Sequence, residues 1–228
     1  MKMASFLLLV SVLVFPRIAW AQSDNSFRLK STDQIETINV TVDEVSYLGR
    51  TGIHLQSTTP DFEKVTIGLI REIEFSDGVI EVELSGEPGP DTGPNHRGFV
   101  GIAFRVDSNN PENYECIYLR PSNGRAGEQQ QRNHTTQYVS HPDHTWYRLR
   151  KEDPGKYESY VDIVPGEWTK VRIEVKGKQA KLYVHGATQP CLVVNDLKSE
   201  RTSGSLGLWI AAGTDAHFRN LTVGPLPE

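Results

Sequence analysis

From residue 35 onward, apolar and polar residues alternate in almost every segment of the chain. The segment INVTVDEV places Ile38, Val40 and Val42 on one side, and IGLIREIEF, VIEVELSG and GFVGIAFRV repeat the pattern. A period of two puts apolar side chains on one face of a β-strand, so these segments are predicted to be strands. Turn-forming stretches such as SDG and KGK separate them. About twelve short strands with little helical periodicity predict an all-β, two-sheet antiparallel sandwich of the jelly-roll type.

The amino terminus has the pattern of a secretory signal peptide. Lys2 precedes an apolar run from Ala4 to Phe15, and Ala19-Trp20-Ala21 matches an A-x-A cleavage site. The run is shorter than the roughly 20 residues that span a bilayer, so we expect cleavage after Ala21 rather than a retained membrane anchor. We therefore predict a signal peptide at 1–21, a flexible segment at 22–36 and a single domain at 37–225. The mature protein would be secreted or periplasmic, with no attachment to a membrane.

The charge of the chain excludes some partners. The sequence has 24 Lys and Arg against 29 Asp and Glu, a net charge of −5 that becomes −7 without Lys2 and Arg17. Such an acidic protein has no general field for nucleic acid or anionic membranes. No Cys/His spacing indicates a metal site, and no cofactor is expected. Cys116 and Cys191 are the only cysteines, and in an exported protein they either form a disulfide or stay separately buried.

The predicted strands differ in what they place on the side away from the core. WTKVRIEV and QAKLYVHG present ordinary charged residues there. Three other segments, read as neighbouring strands, instead present arginines there: Arg105 in GFVGIAFRV, Arg120 in YECIYLRP and Arg148 in TWYRLR. Two of these arginines lie beside an aromatic residue. Gly101 and Ala103 leave room above this sheet. The alternation therefore predicts a slightly hollow surface lined by rings and guanidinium groups.

Such a surface suits a carbohydrate, neutral or anionic, as the ligand. Aromatic rings stack on the apolar faces of sugars, and arginine and asparagine bind hydroxyl or carboxylate groups. A purely structural alternative is that the arginines cover apolar surface and pair with nearby acids such as Asp107, Glu112 and Glu115. The predicted ligand-binding residues are Arg105, Tyr118, Arg120, Arg132, Asn133, Gln137, Tyr138, His141, Trp146 and Arg148.

The signals for catalysis are weaker than those for binding. Ordinary glycosidases need two carboxylates flanking the scissile bond, and the predicted face shows no such pair. Elimination chemistry needs a base and an acid from Tyr or His with Arg or Gln opposite, which Tyr118, Tyr138 and His141 could supply beside Arg120 and Gln137. No G-x-S-x-G elbow is present. An enzyme that cleaves glycosidic bonds is thus the second hypothesis, and a structural or adhesive envelope domain is the third.

Four segments carry a resemblance to a known family: DGVIEVEL, GFVGIAFRV, EWTKVRIEVKGKQAKLYVHG and GSLGLWIAAGTDAHFRNLTV. Over residues 40–223 the chain resembles the concanavalin A-like lectin/glucanase superfamily. Within it, the chain is similar to secreted bacterial domains called laminin-G-like or 3-keto-disaccharide hydrolase-like. The resemblance implies a jelly-roll fold and glycan binding or glycoside processing on the concave sheet. A residue-by-residue match to a catalytic set is not found.

Overall fold

The computed structural model describes residues 27–227, which form the predicted two-sheet antiparallel sandwich. The predicted signal peptide and residues 22–26 lie outside the described residues. The strands are β1 (Phe27–Arg28), β2 (Glu36–Ile38), β3 (Val40–Tyr47), β4 (Arg50–Ser57), β5 (Ile67–Phe75), β6 (Gly78–Pro88), β7 (Val100–Val106), β8 (Tyr114–Leu119), β9 (Thr136–His141), β10 (Glu158–Ser159), β11 (Thr169–Lys176), β12 (Gln179–Val184), β13 (Leu192–Val194), β14 (Gly204–Ile210) and β15 (Thr214–Gly224). The helices are α1 (Gln129–Asn133), α2 (Trp146–Glu152) and two 3-10 turns, Thr32–Gln34 and Pro121–Asn123.

The first sheet has the order β13-β12-β11-β6-β15-β4-β3, with β1 also pairing with β15. The hairpin predicted from WTKVRIEVKGKQAKLYV is present, with Ile173 opposite Leu182 in its register. Along β11 buried residues alternate with more exposed ones, so one face meets the core and the other meets solvent. Part of the segment expected to be flexible, residues 27–36, contributes β1 and a 3-10 turn capped by Ser31.

The second sheet has the order β10-β9-β8-β7-β14-β5-β2. Its register separates two rows of side chains, because Ile102 lies opposite Ile117 on one face while Gly101 lies opposite Tyr118 on the other. The first row packs against the first sheet, and the fully buried core residues include Leu55 and Ile80 of the first sheet and Leu208 of the second. Burying each such side chain contributes about 1.5–3 kcal/mol.

The segment TWYRLR is a helix rather than the predicted strand. It forms most of α2, which begins after Thr145, whose side chain accepts a hydrogen bond from the backbone N–H of Arg148. Leu149 is the one buried residue of this helix and packs into the hydrophobic core. The predicted strand YESYVDI likewise shortens to the two-residue β10.

The two cysteines are free thiols in the structure. Cys116 is fully buried and Cys191 is half-buried. Neither helix in residues 27–227 is long and apolar enough to cross a membrane.

Candidate functional site

A groove of about 470 Å³ lies on the outer face of the second sheet. Four of the residues that line its floor are aromatic or imidazole side chains from three strands: Tyr114 and Tyr118 of β8, His141 of β9 and Trp209 of β14. The alternation of the strands explains their orientation, because each lies between inward-facing residues such as Ile117 and Leu208. We refer to this concavity as the aromatic groove.

The rings on the floor pack against one another. Tyr118 and Trp209 have ring centroids 4.8 Å apart, and Gly101, between them in the sheet, has no side chain to separate them. The indole N–H of Trp209 donates to the hydroxyl of Tyr114 at 3.2 Å. The ring of Tyr114 stacks on that of His141 at 4.8 Å. The floor is therefore a rigid, mostly apolar surface with polar atoms at fixed positions.

Three exposed aromatic side chains surround the mouth of the aromatic groove. Phe62 is 60% exposed, Trp146 44% and Tyr147 64%, and all three line the groove. Large aromatic side chains left in solvent around one concavity lose apolar burial unless a ligand covers them. Their grouping at this mouth makes it the strongest binding feature on this sheet.

Arg120 lies beside the floor of the aromatic groove and positions Tyr118. Its guanidinium donates to the hydroxyl of Tyr118 at 2.9 Å, to the amide oxygen of Gln137 at 3.1 Å and to the carbonyl of His134 at 2.9 Å. Arg120 is only 5% exposed and Gln137 is fully buried. Tyr118 and Arg120 lie on the outer side of their strand, as predicted, and Gln137 lies beside them. The arginine and the amide position the tyrosine and do not face solvent.

Glu158 links the floor to the mouth. Its buried carboxylate lies 3.7 Å from the Arg120 guanidinium and 3.3 Å from His134 Nε2, and it also pairs with Arg150 of α2. The guanidinium of Arg150 lies over the ring of Trp146, 4.8 Å from its centroid. One carboxylate therefore fixes both Tyr118, through Arg120, and Trp146, through Arg150.

Arg105 and Tyr138 do not lie on the outer face, and these two predictions were wrong. Arg105 is 2% exposed and its guanidinium bonds to Glu115, Asp77 and the carbonyl of Gly177, at one end of the sandwich. It adopts a φ of 51°, next to an irregularity in the pairing of β7 with β14, so the alternation is broken there. Tyr138 follows its strand register inward and donates to Glu115 at 2.7 Å.

Three further predicted residues lie away from the groove floor. Arg132 stacks over the exposed ring of Tyr160, and Asn133 accepts a hydrogen bond from Gln129 within α1. Arg148 pairs with Glu152 one turn along α2, with both side chains about half exposed. Of the ten predicted residues, the structure brings Tyr118, His141 and Trp146 into the groove lining, with Arg120 and Gln137 directly behind it.

The prediction missed five aromatic residues of the lining: Phe62, Phe99, Tyr114, Tyr147 and Trp209. A signal for Trp209 was present in GSLGLWIAA, where the inward residues Leu206, Leu208 and Ile210 put the tryptophan on the opposite face. Phe62 belongs to a loop between β4 and β5, and its position depends on tertiary packing that no local pattern encodes.

Burial sets the protonation of the groove residues. It lowers the pKa of His141, so the imidazole is neutral at pH 7. It raises the pKa of Tyr118 to about 12, against the opposing effect of Arg120, and it also raises the pKa of Tyr114. The floor thus presents neutral hydroxyl and imidazole groups.

A second concavity of about 670 Å³ lies beside the aromatic groove and is bounded by loops around residues 56–62, 89–96 and 212–215. Phe62 and Phe99 line both cavities. Here His96 is tied to the backbone, with Nε2 bonded to the carbonyl of Ala212 and Nδ1 accepting from Gly98 N–H. Its imidazole therefore organises the loop.

Two stacked antiparallel sheets with a groove on one outer face make this chain a jelly-roll sandwich of the concanavalin A-like type. A family model described as the 3-keto-alpha-glucoside-1,2-lyase-like domain matches residues 32–224. The chain belongs to this family, and the resemblance predicted from the sequence is confirmed.

Solved structures with the same fold include three distant ones. A carbohydrate-binding module, CBM66 from Bacillus subtilis, has a TM-score of 0.50 at 14% identity, covering 84% of this chain and 96% of the module. A Bacillus subtilis protein with a galectin-like fold has a TM-score of 0.53 at 14% identity, covering 85% and 90%. A cellulose-induced protein has a TM-score of 0.51 at 10% identity, covering 86% and 94%. No curated protein sequence matches the chain significantly.

Proposed function

We propose that this chain is an exported protein that binds a carbohydrate in the aromatic groove. The observation that carries the proposal is the arrangement of three exposed aromatic side chains, Phe62, Trp146 and Tyr147, around a floor of buried rings with fixed polar atoms. Sugars present apolar C–H faces to such rings and hydroxyl groups to neutral donors and acceptors. The likeness to a carbohydrate-binding module and the family membership support the same ligand class.

The family description favours α-glucosides and their 3-keto derivatives as first ligands. An anionic sugar is less favoured than the sequence alone suggested, because Arg105, Arg120 and Arg148 are all engaged by protein groups. The cations that were predicted to meet a carboxylate thus stabilise the protein instead. The groove floor is neutral, which suits a neutral glucoside.

The test is calorimetric titration of α-glucosides and 3-keto-α-glucosides into the chain and two variants. Trp146→Ala removes a ring at the mouth and is expected to weaken binding about tenfold, equivalent to about 1.4 kcal/mol. Tyr160→Ala removes a comparably exposed ring that is not part of the groove and serves as the matched control. Equal affinities for the wild type and both variants would exclude the groove as the binding site.

A second candidate function is elimination of the glycoside, and the position of His141 favours it. Its imidazole lines the groove, is neutral at pH 7 and stacks on Tyr114. In a 3-keto-α-glucoside the C2 proton is acidic because it lies next to the ketone. His141 would take that proton, the C1–O bond would break, a C1=C2 double bond would form, and the leaving alcohol would receive a proton from a groove hydroxyl or water.

Formation of the unsaturated ketone from a 3-keto-α-glucoside, followed by ultraviolet absorbance, tests this candidate. His141→Gln should abolish the reaction while binding persists. His144→Gln is the matched control, since this nearby histidine does not line the groove. Turnover that survives His141→Gln would remove His141 from the chemistry, and absence of turnover in the wild type would leave binding alone as the function.

A further inference from the structure

A second cluster of functional side chains lies on the outer face of the first sheet. His54 of β4 and His217 of β15 are directly opposite each other in the strand register, and Asp215 lies two residues before His217 on the same face. One nitrogen from each histidine and one oxygen from the aspartate lie within 4.8 Å of one another. Nothing in the spacing of these residues along the sequence reveals the cluster, since 161 positions separate His54 from Asp215.

The distances within the cluster are close to those of a metal-binding tripod. His54 Nε2 lies 2.9 Å from Asp215 Oδ1, and His217 Nδ1 lies 3.8 Å from the same oxygen. Ligand atoms around a tetrahedral zinc ion are about 3.3–3.6 Å apart, given metal–ligand distances of about 2.0–2.2 Å. The two imidazole rings are nearly parallel, at 19°, so binding requires the more exposed ring, that of His54, to rotate.

The surroundings hold the least exposed ligand in place. The ring of Tyr47 stacks on that of His217 with centroids 3.6 Å apart, and its hydroxyl donates to the carbonyl of Gly166 at 2.6 Å. Metal binding requires a neutral imidazole, and the stack with Tyr47 fixes the orientation of this ring.

Two neighbouring groups also favour a cation at this place. Glu87 lies opposite Asp215 in the pairing of β6 with β15, which puts a second carboxylate on the same face. Ser85 lies opposite His217, and its buried hydroxyl oxygen has no hydrogen-bond partner among residues 27–227. A buried hydroxyl without a partner is costly, and a metal ion or its bound water would satisfy it.

We propose that His54, Asp215 and His217 form a binding site for a divalent transition-metal ion of the zinc class. Two imidazoles and one carboxylate form a ligand set that favours such ions over Ca²⁺ or Mg²⁺. Three protein ligands leave at least one position of a four-coordinate ion free. Asp215 also lines the 670 Å³ cavity, so the ion would lie at the rim of that concavity.

The test is titration of Zn²⁺ into protein that carries no histidine tag and has been stripped with EDTA. We expect one ion per chain, with Ca²⁺ and Mg²⁺ unable to compete. His54→Gln and Asp215→Asn, both at partly exposed side chains, should each weaken binding at least tenfold. His185→Asn removes an exposed imidazole elsewhere, at a positive-φ position that asparagine tolerates, and should leave the affinity unchanged.

A second measurement uses the wild-type protein, so that the proposal can be tested even if a variant unfolds. In ¹⁵N spectra of the histidine side chains, Zn²⁺ should shift the ring nitrogens of His54 and His217 and leave those of His185 in place. Stoichiometric binding that is insensitive to both substitutions, no binding at tens of micromolar zinc, or shifts confined to other histidines would each overturn the proposal.

Discussion

The guanidinium of Arg105 lies 3.3 Å from the carboxylate of Glu115, and the two side chains are 2% and 0% exposed. Removing one partner of a buried pair leaves an uncompensated charge, which costs about 3–5 kcal/mol. We therefore expect Arg105→Met to destabilise the protein by about that amount. Adding Glu115→Gln, which removes the stranded charge and keeps an acceptor for Tyr138, should restore part of the loss.

A double-mutant cycle by urea denaturation measures this coupling. The single variants Arg105→Met and Glu115→Gln and the double variant complete the cycle. Strictly additive losses, or single losses below about 1 kcal/mol, would show that the pair contributes little.

Sequence-based prediction succeeds for segments that keep the strand alternation, and it fails at Arg105, where the alternation is broken. The hairpin of β11 and β12 was predictable because every step of its register keeps the alternation. The outward orientation of Tyr118 was predictable for the same reason. The orientation of Arg105 was not predictable, because its left-handed backbone conformation reverses the side chain and no glycine marks that position in the sequence. Glu115 lies on the core side of its strand, and it is one of the acids that the structural alternative named as partners of the arginines.

The groove was only partly predictable for a related reason. Its floor comes from strands, whose alternation fixes the faces of Tyr118 and His141. Its mouth comes from a loop and from α2, and Trp146 lies on this helix where the sequence predicted a strand. A seven-residue helix with one buried side chain has too little periodicity for recognition, although Thr145 is a recognisable cap.

Glu158 is expected to matter for both stability and binding. Glu158→Gln leaves Arg120 and Arg150 without their shared anion and should destabilise the protein by about 3 kcal/mol. It should also weaken sugar binding several-fold, because the positions of Tyr118 and Trp146 depend on the two arginines. Thermal unfolding and calorimetric titration measure the two effects.

The matched control for Glu158 is Glu152→Gln, which removes a carboxylate from an exposed pair with Arg148. This change should have no measurable effect on stability and should leave the sugar affinity unchanged. If Glu158→Gln behaves like the control, the proposed positioning network does not hold the rings.

Gly101 is predicted to be irreplaceable for steric reasons. A β-carbon at this position would lie 2.4 Å from the carbonyl oxygen of Ile117 and 2.5 Å from the β-carbon of Tyr118. Gly101→Ala should therefore destabilise the protein by about 1–3 kcal/mol and disturb the contact of Tyr118 with Trp209, visible in near-ultraviolet circular dichroism. Gly127→Ala has open space around it and should be neutral. Equal stability of the two variants would contradict this packing.

His217 is expected to make stability depend on pH. Its folded-state pKa of about 4 lies below its ordinary value of 6.5, so between these values the unfolded state binds more protons than the folded state. The free energy of unfolding must therefore fall as pH drops through this window. His217→Phe keeps a ring against Tyr47 but cannot titrate, so its stability relative to the wild type should improve from pH 7 to pH 4. Urea titrations in EDTA measure the difference, and a constant difference would contradict the assignment.

Binding in the aromatic groove is tested most directly by the indole N–H resonances of ¹⁵N-labelled protein titrated with an α-glucoside or its 3-keto derivative. Trp146 and Trp209 line the groove, whereas Trp168 lies on the other sheet, against Tyr47. We predict that the resonances of Trp146 and Trp209 shift in a saturable manner and that Trp168 does not move. A shift of Trp168 alone, or no shift of Trp146 and Trp209 while calorimetry shows binding, would contradict the account.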